Sequence, residues 1–365
     1  KTRGASGIFF GGSAPLCCWD RMMRGYAAVS KPLRVLFHVA PAEPYAVRFQ
    51  ERLRQILPSH AELQLGLTPQ EFSPNFIESA EVLLLSPYIG GDTVKKVATI
   101  LPEMHELRWV HSFTAGVDAF LEILNAHESS RKVPLTNAKG AFSWSLAEYA
   151  VGGMLYFNKQ LPKLERHKEM QHWDRFQMNC LRGKRVGFIG FGSIAQATAE
   201  LCRALRMRLV AHCRSPKTVA ESPFAAETEY CASKVELFKT CDFVICTLPK
   251  TPQTLHYCDA SCFSVAKENS VFLSLGRGQA VDEAALLQHS ERFAGLVLDV
   301  FEHEPLDASS PLWQLPNALL SSHNADLVES YEEDTVEVFS ERLKDFLSPT
   351  FSGHFAGEVD KSSGY

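Results

Sequence analysis

Three polar residues in the last third of the chain have types and positions that suit acid–base chemistry. Arg277 follows the apolar run SVFLSL, Glu304 follows LVLDV, and His323 follows ALLSS. A guanidinium can bind a carboxylate through two hydrogen bonds and polarise a carbonyl group. An imidazole can donate a proton near neutral pH, and a neighbouring carboxylate raises its pKa. Together with a hydride donor, these groups could reduce a 2-oxo acid.

Taken alone, each of these residues is only weak support for a catalytic site. The chain has 42 acidic residues and 13 histidines, and an arginine between glycines could simply hold a surface loop. Their order is more informative, because each follows an apolar run that is typical of a strand. Ligands of open α/β sheets bind at the carboxyl ends of the strands. We therefore predict Arg277, Glu304 and His323 as the catalytic residues.

A glycine-rich turn predicts the source of the hydride. The apolar run RVGFI leads into Gly190 and Gly192, and a helical pattern follows. Gly190 permits a tight turn, Gly192 lets the backbone approach a pyrophosphate, and the helix N-terminus attracts the phosphates. Ala195 stands where a third glycine is usual, but packing of the helix on the strand needs only a small residue. The predicted cofactor contacts in this turn are Gly190, Phe191, Gly192, Ser193 and Ile194.

The end of the next strand predicts the type of dinucleotide. The run RLVAH ends at Cys213, Arg214 and Ser215, where an NAD site usually carries an acid for the ribose hydroxyls. Arg214 could instead pair with a 2′-phosphate, helped by the hydroxyl of Ser215 and by Lys217. We therefore predict NADP(H) as the preferred cofactor. NAD(H) stays open, because Arg214 could also be an ordinary solvated charge.

Two series of alternating strands and helices must position these residues. Such a pattern predicts an α/β fold with parallel sheets, and the later series predicts a doubly wound sheet of about six strands. A long helix is predicted from about Ser145 to His172, and a last helix from Glu332 to Leu347. The predicted strands are LRVLFHV, VLLLS, RWVHS and PLTN in the first series, and RVGFI, RLVAH, FVICTL, SVFLSL, GLVLDV and ALLSS in the second.

The last helix bears on the domain organisation. A lone terminal helix cannot bury its own apolar stripe, so we expect it to return to the first domain. The prediction is two Rossmann-like domains, with a dinucleotide-binding domain (139–324) inserted in a smaller flavodoxin-like substrate domain (33–138 plus 325–365). Residues 1–32 are basic and poor in acids, which is typical of either a disordered leader or the remnant of an organellar transit peptide.

Composition excludes several classes of protein. The net charge of −5 gives no broad attraction to nucleic acid or to an anionic membrane. No apolar run approaches the roughly 20 residues that span a bilayer. The ten cysteines form no CxxC pair, which favours reduced thiols and no metal site. We expect a soluble cytoplasmic protein, with an organelle left open by the basic leader.

Seven segments, in this order along the chain, resemble the D-2-hydroxyacid dehydrogenase family. The resemblance covers about Leu33 to Phe346, and an ordered set of this length is specific. It implies an oxidoreductase that acts on a short 2-oxo or D-2-hydroxy acid of the glyoxylate or hydroxypyruvate class. The segments are SFTAGVD, NAKGAFSWSLAEYAVGGML, GFGSIA, LPKTPQTLHYCD, LGRGQAVDEAAL, LVLDVFEHEPL and SPLWQLPNALLSSHNA.

The resemblance also implies roles for single residues. Arg277 would bind the carboxylate and carbonyl, His323 would be the acid/base, and Glu304 would be its partner. The amides of Gly116 and Val117 would hold the substrate carboxylate, and the family is usually a homodimer joined near Ala147. Further implied cofactor contacts are Thr247, Leu248, Pro249, Leu275, Gly276, Asp299 and His323.

Several positions depart from the family pattern. Ser322 and Asn324 flank the histidine where the family usually has proline and an aliphatic residue. Gly276 replaces alanine or serine, which would widen the nicotinamide pocket. The loop 86–92, which should face the substrate, matches no known subfamily pattern, so the substrate itself stays open.

A second class of function shares this fold. Some transcriptional corepressors are dehydrogenase-like modules that bind partners according to NAD(P) occupancy. The presence of Arg277, Glu304 and His323 weakens that alternative without removing it, because a fold does not prove turnover.

Overall fold

Two parallel sheets organise the chain, and the predicted fold class is confirmed. The computed structural model describes residues 31–87 and 91–362, so nearly all of the predicted leader lies outside the described residues. The first sheet has the spatial order β2-β1-β3-β4-β5, which is the order of flavodoxin-like sheets. Its strands are β1 Arg34–His38, β2 Glu62–Gly66, β3 Val82–Leu85, β4 Trp109–Ser112 and β5 Leu135–Asn137.

The second sheet has seven strands in the order β12-β11-β10-β9-β6-β7-β8. Strand order reverses between β6 and β9, and ligands of doubly wound sheets bind at the carboxyl ends beside such a reversal. Its strands are β6 Arg185–Ile189, β7 Arg208–His212, β8 Thr228–Tyr230, β9 Phe243–Cys246, β10 Ser270–Ser274, β11 Phe293–Leu298 and β12 Ala318–Leu320.

Helices cover the faces of both sheets. Their bounds are α1 Pro44–Ile56, α2 Pro74–Ser79, α3 Gly91–Ile100, α4 Asp118–Ala126, α5 Glu128–Arg131, α6 Ser143–Asn158, α7 Leu161–Glu169, α8 Ser193–Ala204, α9 Pro216–Ala220, α10 Lys234–Thr240, α11 Ala260–Phe263, α12 Glu283–Gln288 and α13 Tyr331–Phe346. No helix within 31–87 and 91–362 combines the length and apolar character that crossing a membrane requires.

The predicted long helix from Ser145 to His172 is wrong, because the structure divides it into α6 and α7. The break lies at Gln160, which has a left-handed backbone with φ of 53°. Pro162 follows in the first turn of α7. Proline has no N–H to continue the hydrogen bonds of α6, and its ring would clash with the preceding turn. The apolar period continues across the break, but the backbone does not.

The C-terminal helix α13 packs on the first sheet, as its apolar stripe predicts. Trp109 of β4 is fully buried and stacks on Phe339 of α13, with ring centroids 5.1 Å apart. Arg48 of α1 forms an ion pair with the buried Glu332 at the start of α13. The chain therefore returns to the first sheet after completing the second.

Candidate active site

The turn after β6 presents backbone amides at the reversal of strand order. Gly190 has a φ of 86°, a conformation that glycine adopts at little cost. Gly192 is the N-cap residue of α8, whose first turn has no acidic residue and no side-chain cap. The first amides of a helix have no partner within it, so those of α8 are available to an anion.

The side chain of Phe191 points into the core of the protein. Its side chain is 2% exposed and packs edge-on against Phe188 at 5.6 Å. Its carbonyl accepts a hydrogen bond from the Gln196 amide at 3.1 Å. Phe191 can therefore contact a cofactor only through its backbone, while its ring anchors the turn in the core.

The segment Thr247 to Pro249 lies directly beside this turn. The Oγ1 of Thr247 is buried and has no hydrogen-bond partner in the described part of the chain. It lies 3.3 Å from the point where a side chain on Gly190 would begin. A buried hydroxyl without a partner is costly, and a bound group with a polar atom would satisfy it. The site therefore fits a dinucleotide, with Leu275 buried nearby.

Gly276 does not widen the nicotinamide pocket, and the expectation that it would is wrong. A Cβ at this position would lie 2.3 Å from the carbonyl oxygen of Leu248 and 2.7 Å from its amide nitrogen. The space that a side chain would occupy is filled by backbone. The Arg277 amide also donates to the Leu248 carbonyl at 3.0 Å. Glycine is needed here because the two loops approach so closely.

Arg214 and Ser215 directly follow β7, the strand that comes after the glycine turn and α8 along the chain. Arg214 is exposed, and it makes no ion pair with any carboxylate among the described residues. The Oγ of Ser215 accepts from the Lys217 amide at 3.2 Å and so caps α9. The hydroxyl proton of Ser215 is still available to a phosphate.

Asp299 organises the loop that carries the histidine. Its side chain is 1% exposed and accepts hydrogen bonds from Ser321 Oγ at 2.6 Å and from the Asn324 amide at 3.1 Å. Its carbonyl accepts from the His323 amide at 2.8 Å. Asp299 therefore fixes the backbone on both sides of His323, a function that the sequence did not predict.

His323 and Glu304 form a hydrogen-bonded pair. The Nδ1 of His323 lies 2.8 Å from Oε2 of Glu304, and Oε1 of Glu304 accepts from the Phe301 amide at 2.9 Å. His323 has a left-handed backbone with φ of 52°, held by the hydrogen bonds to Asp299. With Nδ1 engaged, Nε2 is the ring atom that can exchange a proton with a ligand.

The environment favours the charged forms of both groups. The hydrogen bond to Glu304 raises the pKa of His323, and this outweighs burial and the charge of Arg277, which lower it. Burial would raise the pKa of Glu304, but the hydrogen bonds from His323 and Phe301 hold it below its ordinary value. The pair is thus arranged to keep His323 protonated at higher pH than a free imidazole.

Arg277 crosses from the second sheet to the loop after β4. Its Nε lies 3.4 Å from Oδ2 of Asp118. A Cβ on Gly116 would lie 1.6 Å from the Arg277 Nη2, so only glycine permits this approach. In the described part of the chain, the amides of Gly116 and Val117 donate no hydrogen bond to protein. Arg277 and these amides can therefore converge on one anionic ligand.

Three further residues of this region were not identified from the sequence. Asp118 directly follows the predicted Gly116 and Val117, and that position was its only signal. Tyr149 of α6 forms a hydrogen bond with Ser321, and burial raises its pKa. Burial also raises the pKa of Asp326, although the nearby charges of His323 and Arg277 oppose this.

Comparison with known proteins gives consistent matches. A family model described as "D-isomer specific 2-hydroxyacid dehydrogenase, NAD binding domain" matches residues 151–325. Glyoxylate/hydroxypyruvate reductase B of Klebsiella pneumoniae subsp. pneumoniae is 30% identical over 257 residues, covering 67% of this chain and 77% of that protein. D-3-phosphoglycerate dehydrogenase of Methanocaldococcus jannaschii is 28% identical over 312 residues; the match covers 84% of this chain but only 56% of that protein.

A solved structure matches the fold over almost the whole chain. It is a D-isomer specific 2-hydroxyacid dehydrogenase family protein from Aeromonas salmonicida subsp. salmonicida, with a TM-score of 0.74 and 24% sequence identity. The match covers 91% of this chain and 100% of that one. It therefore includes both parallel sheets, not the dinucleotide-binding part alone.

Proposed function

This chain belongs to the D-isomer specific 2-hydroxyacid dehydrogenase family, and from that premise we propose that it reduces a short 2-oxo acid with NADPH. Its class is that of NAD(P)-dependent D-2-hydroxyacid dehydrogenases. The observation that carries the proposal is the 2.8 Å pair of His323 and Glu304, which lies close enough to Arg277 for its charge to act on the imidazole. The glyoxylate or hydroxypyruvate class of substrate is supported by the Klebsiella relative's name.

The dinucleotide supplies the hydride when it is bound. The amides at the start of α8 would hold its pyrophosphate, and the unpartnered Thr247 hydroxyl would meet a polar group of it. The remaining proposed contacts are Gly190, Phe191, Gly192, Ser193, Ile194, Leu248, Pro249, Leu275, Gly276 and Asp299. Of these, Phe191 acts through its backbone and Asp299 also fixes the histidine loop.

The protein's own residues would then bind and protonate the substrate. Arg277 pairs with the carboxylate and polarises the carbonyl, while the Gly116 and Val117 amides hold the other carboxylate oxygen. As the carbonyl carbon accepts the hydride, His323 Nε2 gives its proton to the oxygen. Glu304 stabilises the protonated imidazole and fixes the orientation of its ring.

NADPH is the proposed donor because Arg214 is an exposed cation with no carboxylate partner in the described part of the chain. Replacing Arg214 with Asp should lower the preference for NADPH over NADH by about 10- to 100-fold, the worth of a charged hydrogen bond. The ratio of kcat/KM values for the two cofactors measures this. Lys239→Asp is a matched control, since Lys239 is an exposed lysine near the end of α10, outside the predicted cofactor contacts, and pairs with Glu236 at 3.9 Å. An unchanged ratio would mean that Arg214 does not read the 2′-phosphate.

The substrate class is tested by following oxidation of NADPH and NADH in parallel. Glyoxylate, hydroxypyruvate, pyruvate and a bulkier branched 2-oxo acid would be compared. We expect glyoxylate and hydroxypyruvate, the two acids of the proposed class, to be reduced, and Arg277→Ala to lose about 10²–10³-fold in kcat/KM while still binding NADPH. Clear NADPH binding without any turnover would instead favour a cofactor-sensing binding module.

We also propose that residues 33–138 plus 325–365 form one domain and residues 139–324 the other.

We propose in addition that the protein is a homodimer. The support for the dimer is a stretch of exposed apolar side chains on α7 and directly after it. Trp173 is 91% exposed and Met170 is 64% exposed, and on α7 Leu161 and Leu164 are 37% and 38% exposed. Several large apolar side chains exposed within one short segment are typical of a protein interface.

A further inference from the structure

The C-terminal end of α7 brings two histidines together. The His172 amide donates to the His167 carbonyl at 2.8 Å, and the Gln171 amide donates to the Lys168 carbonyl at 3.1 Å. Gln171 has a left-handed backbone with φ of 51°. These features define a Schellman motif, in which the third residue from the helix end faces the second residue beyond the cap. The facing positions usually hold apolar side chains, but here they hold two imidazoles.

A carboxylate completes this group. The rings of His167 and His172 are perpendicular, with centroids 5.1 Å apart. One ligand atom from each of His167, His172 and Asp174 lies within 4.8 Å of the other two. His172 and Asp174 are exposed and His167 is half-buried, so modest side-chain rotations can close these distances. We call this group the α7-end cluster.

We propose that the α7-end cluster is a binding site for a divalent transition metal, with Zn²⁺ as the expected ion. Two imidazole nitrogens and one carboxylate oxygen form a common ligand set for zinc, and the fourth position is left to water. Magnesium and calcium prefer sets made of oxygen alone, so they fit this cluster poorly. The site is separate from the proposed dehydrogenase chemistry and does not depend on it.

Two neighbours affect the cluster in opposite ways: Phe176 orients one ligand, and Lys163 competes with the metal for another. His167 packs edge-on against the ring of Phe176 at 5.8 Å, which limits its orientations. Lys163 lies 3.4 Å from Oδ2 of Asp174 and 4.0 Å from the ring of Phe176. Because both partners of this ion pair are partly exposed, it costs little to replace. Binding would exchange the lysine for the metal at Asp174.

A metal here would tie the helix to the segment that follows it. Residues 171–180 form no helix or strand, and most of their side chains are exposed. Coordination would link His167 within α7 to His172 and Asp174 beyond it. The expected consequence is a more rigid segment around Trp173, which lies between the ligands His172 and Asp174 in the sequence.

The test is zinc binding to the full chain after treatment with a chelator, measured by isothermal titration calorimetry. We expect His172→Ala and Asp174→Asn to weaken one site by at least about tenfold, since even outer-shell changes cost that much at metal sites. His60→Ala is the control for a histidine outside the cluster. Cys180→Ser is the control for the exposed thiol of the same segment. Equal binding by the wild type and His172→Ala, or a loss caused only by Cys180→Ser, would overturn the proposal.

A second measurement locates the ion. Ni²⁺ quenches nearby tryptophan fluorescence, and Trp173 should account for most of the quenching. Trp173→Phe should remove that quenching while leaving zinc binding unchanged. Quenching that persists in Trp173→Phe would place the metal elsewhere and contradict the site.

Discussion

Arg277 has a partner within the protein that a substrate must replace. Its Nε lies 3.4 Å from Asp118, and both side chains are about one third exposed, at 27% and 33%. A carboxylate substrate therefore competes with Asp118 for the same guanidinium. Partly exposed ion pairs are worth about 0.2–1 kcal/mol, so the competition is modest.

Replacing Asp118 with Asn should release Arg277 for the substrate. We expect KM for the 2-oxo acid to fall by up to about fivefold, the equivalent of about 1 kcal/mol, with little change in kcat. Steady-state kinetics with the preferred acid would measure both constants. If KM rose and kcat fell together, Asp118 would instead be positioning Arg277 for the reaction.

The pair of His323 and Glu304 predicts how kcat/KM for reduction depends on pH. Glu304 raises the pKa of His323, so the protonated donor needed for reduction persists to higher pH and is lost as pH rises through that value. In Glu304→Gln the raised pKa should fall, and the alkaline limb of the kcat/KM profile should move to lower pH. Turnover at pH 7 should also drop by at least about tenfold, since positioned proton transfer contributes about 10²–10⁴-fold.

The control for this substitution is Glu329→Gln, an exposed acid six residues beyond the histidine. It should leave the profile unchanged. A Glu304→Gln enzyme with the wild-type alkaline limb would show that another group sets it, and Asp326 would be the next residue to replace.

Strands with a continuous apolar run were predictable, and so were the edge strands β5 and β12, whereas the edge strands β2 and β8 were not. β3 and β9 are buried at every position, and their apolar runs VLLL and FVIC identify them. β2 and β8 lie at sheet edges, and their sequences ELQLG and TEY keep exposed or half-exposed side chains. An edge strand needs no continuous apolar run, so periodicity alone can miss it.

The close contact between the loop that carries Gly276 and the loop that carries Leu248 predicts the effect of a substitution. A Cβ at Gly276 would meet the Leu248 backbone at 2.3 Å, and backbone cannot rotate away as a side chain can. Gly276→Ala should therefore displace the Thr247 to Pro249 segment, destabilise the fold by about 1–3 kcal/mol and weaken NADPH binding. Thermal unfolding and a fluorescence titration with NADPH would measure the two effects.

Gly152→Ala in α6 is the matched control. A Cβ there meets nothing within 4 Å, and alanine favours a helix over glycine by about 1 kcal/mol. It should be neutral or stabilising. Wild-type cofactor affinity in Gly276→Ala would mean that the loop can shift without affecting the site.

The proximity of the candidate site residues could be predicted in part, because each of them follows a strand. Arg277, Glu304 and His323 were predicted on that ground, since carboxyl ends of parallel strands meet at one edge. Asp118 and Asp299 illustrate what the sequence could not supply. The contact of Asp118 with Arg277 depends on how the two sheets approach each other, and the hydrogen bonds of Asp299 depend on the path of a loop.

The exposed stretch after α7 gives the prediction for assembly. Trp173 is 91% exposed, and burying an indole of this size in an interface contributes strongly to association. Trp173→Asp should therefore convert a dimer to a monomer, or weaken the dimer by at least about 30-fold, the equivalent of about 2 kcal/mol. Sedimentation equilibrium would give the dissociation constant. Val47→Asp is the matched control, because Val47 is 47% exposed on α1 of the first sheet and lies outside this stretch. A monomeric wild type would contradict the dimer, and a Trp173→Asp dimer of normal strength would place the interface elsewhere.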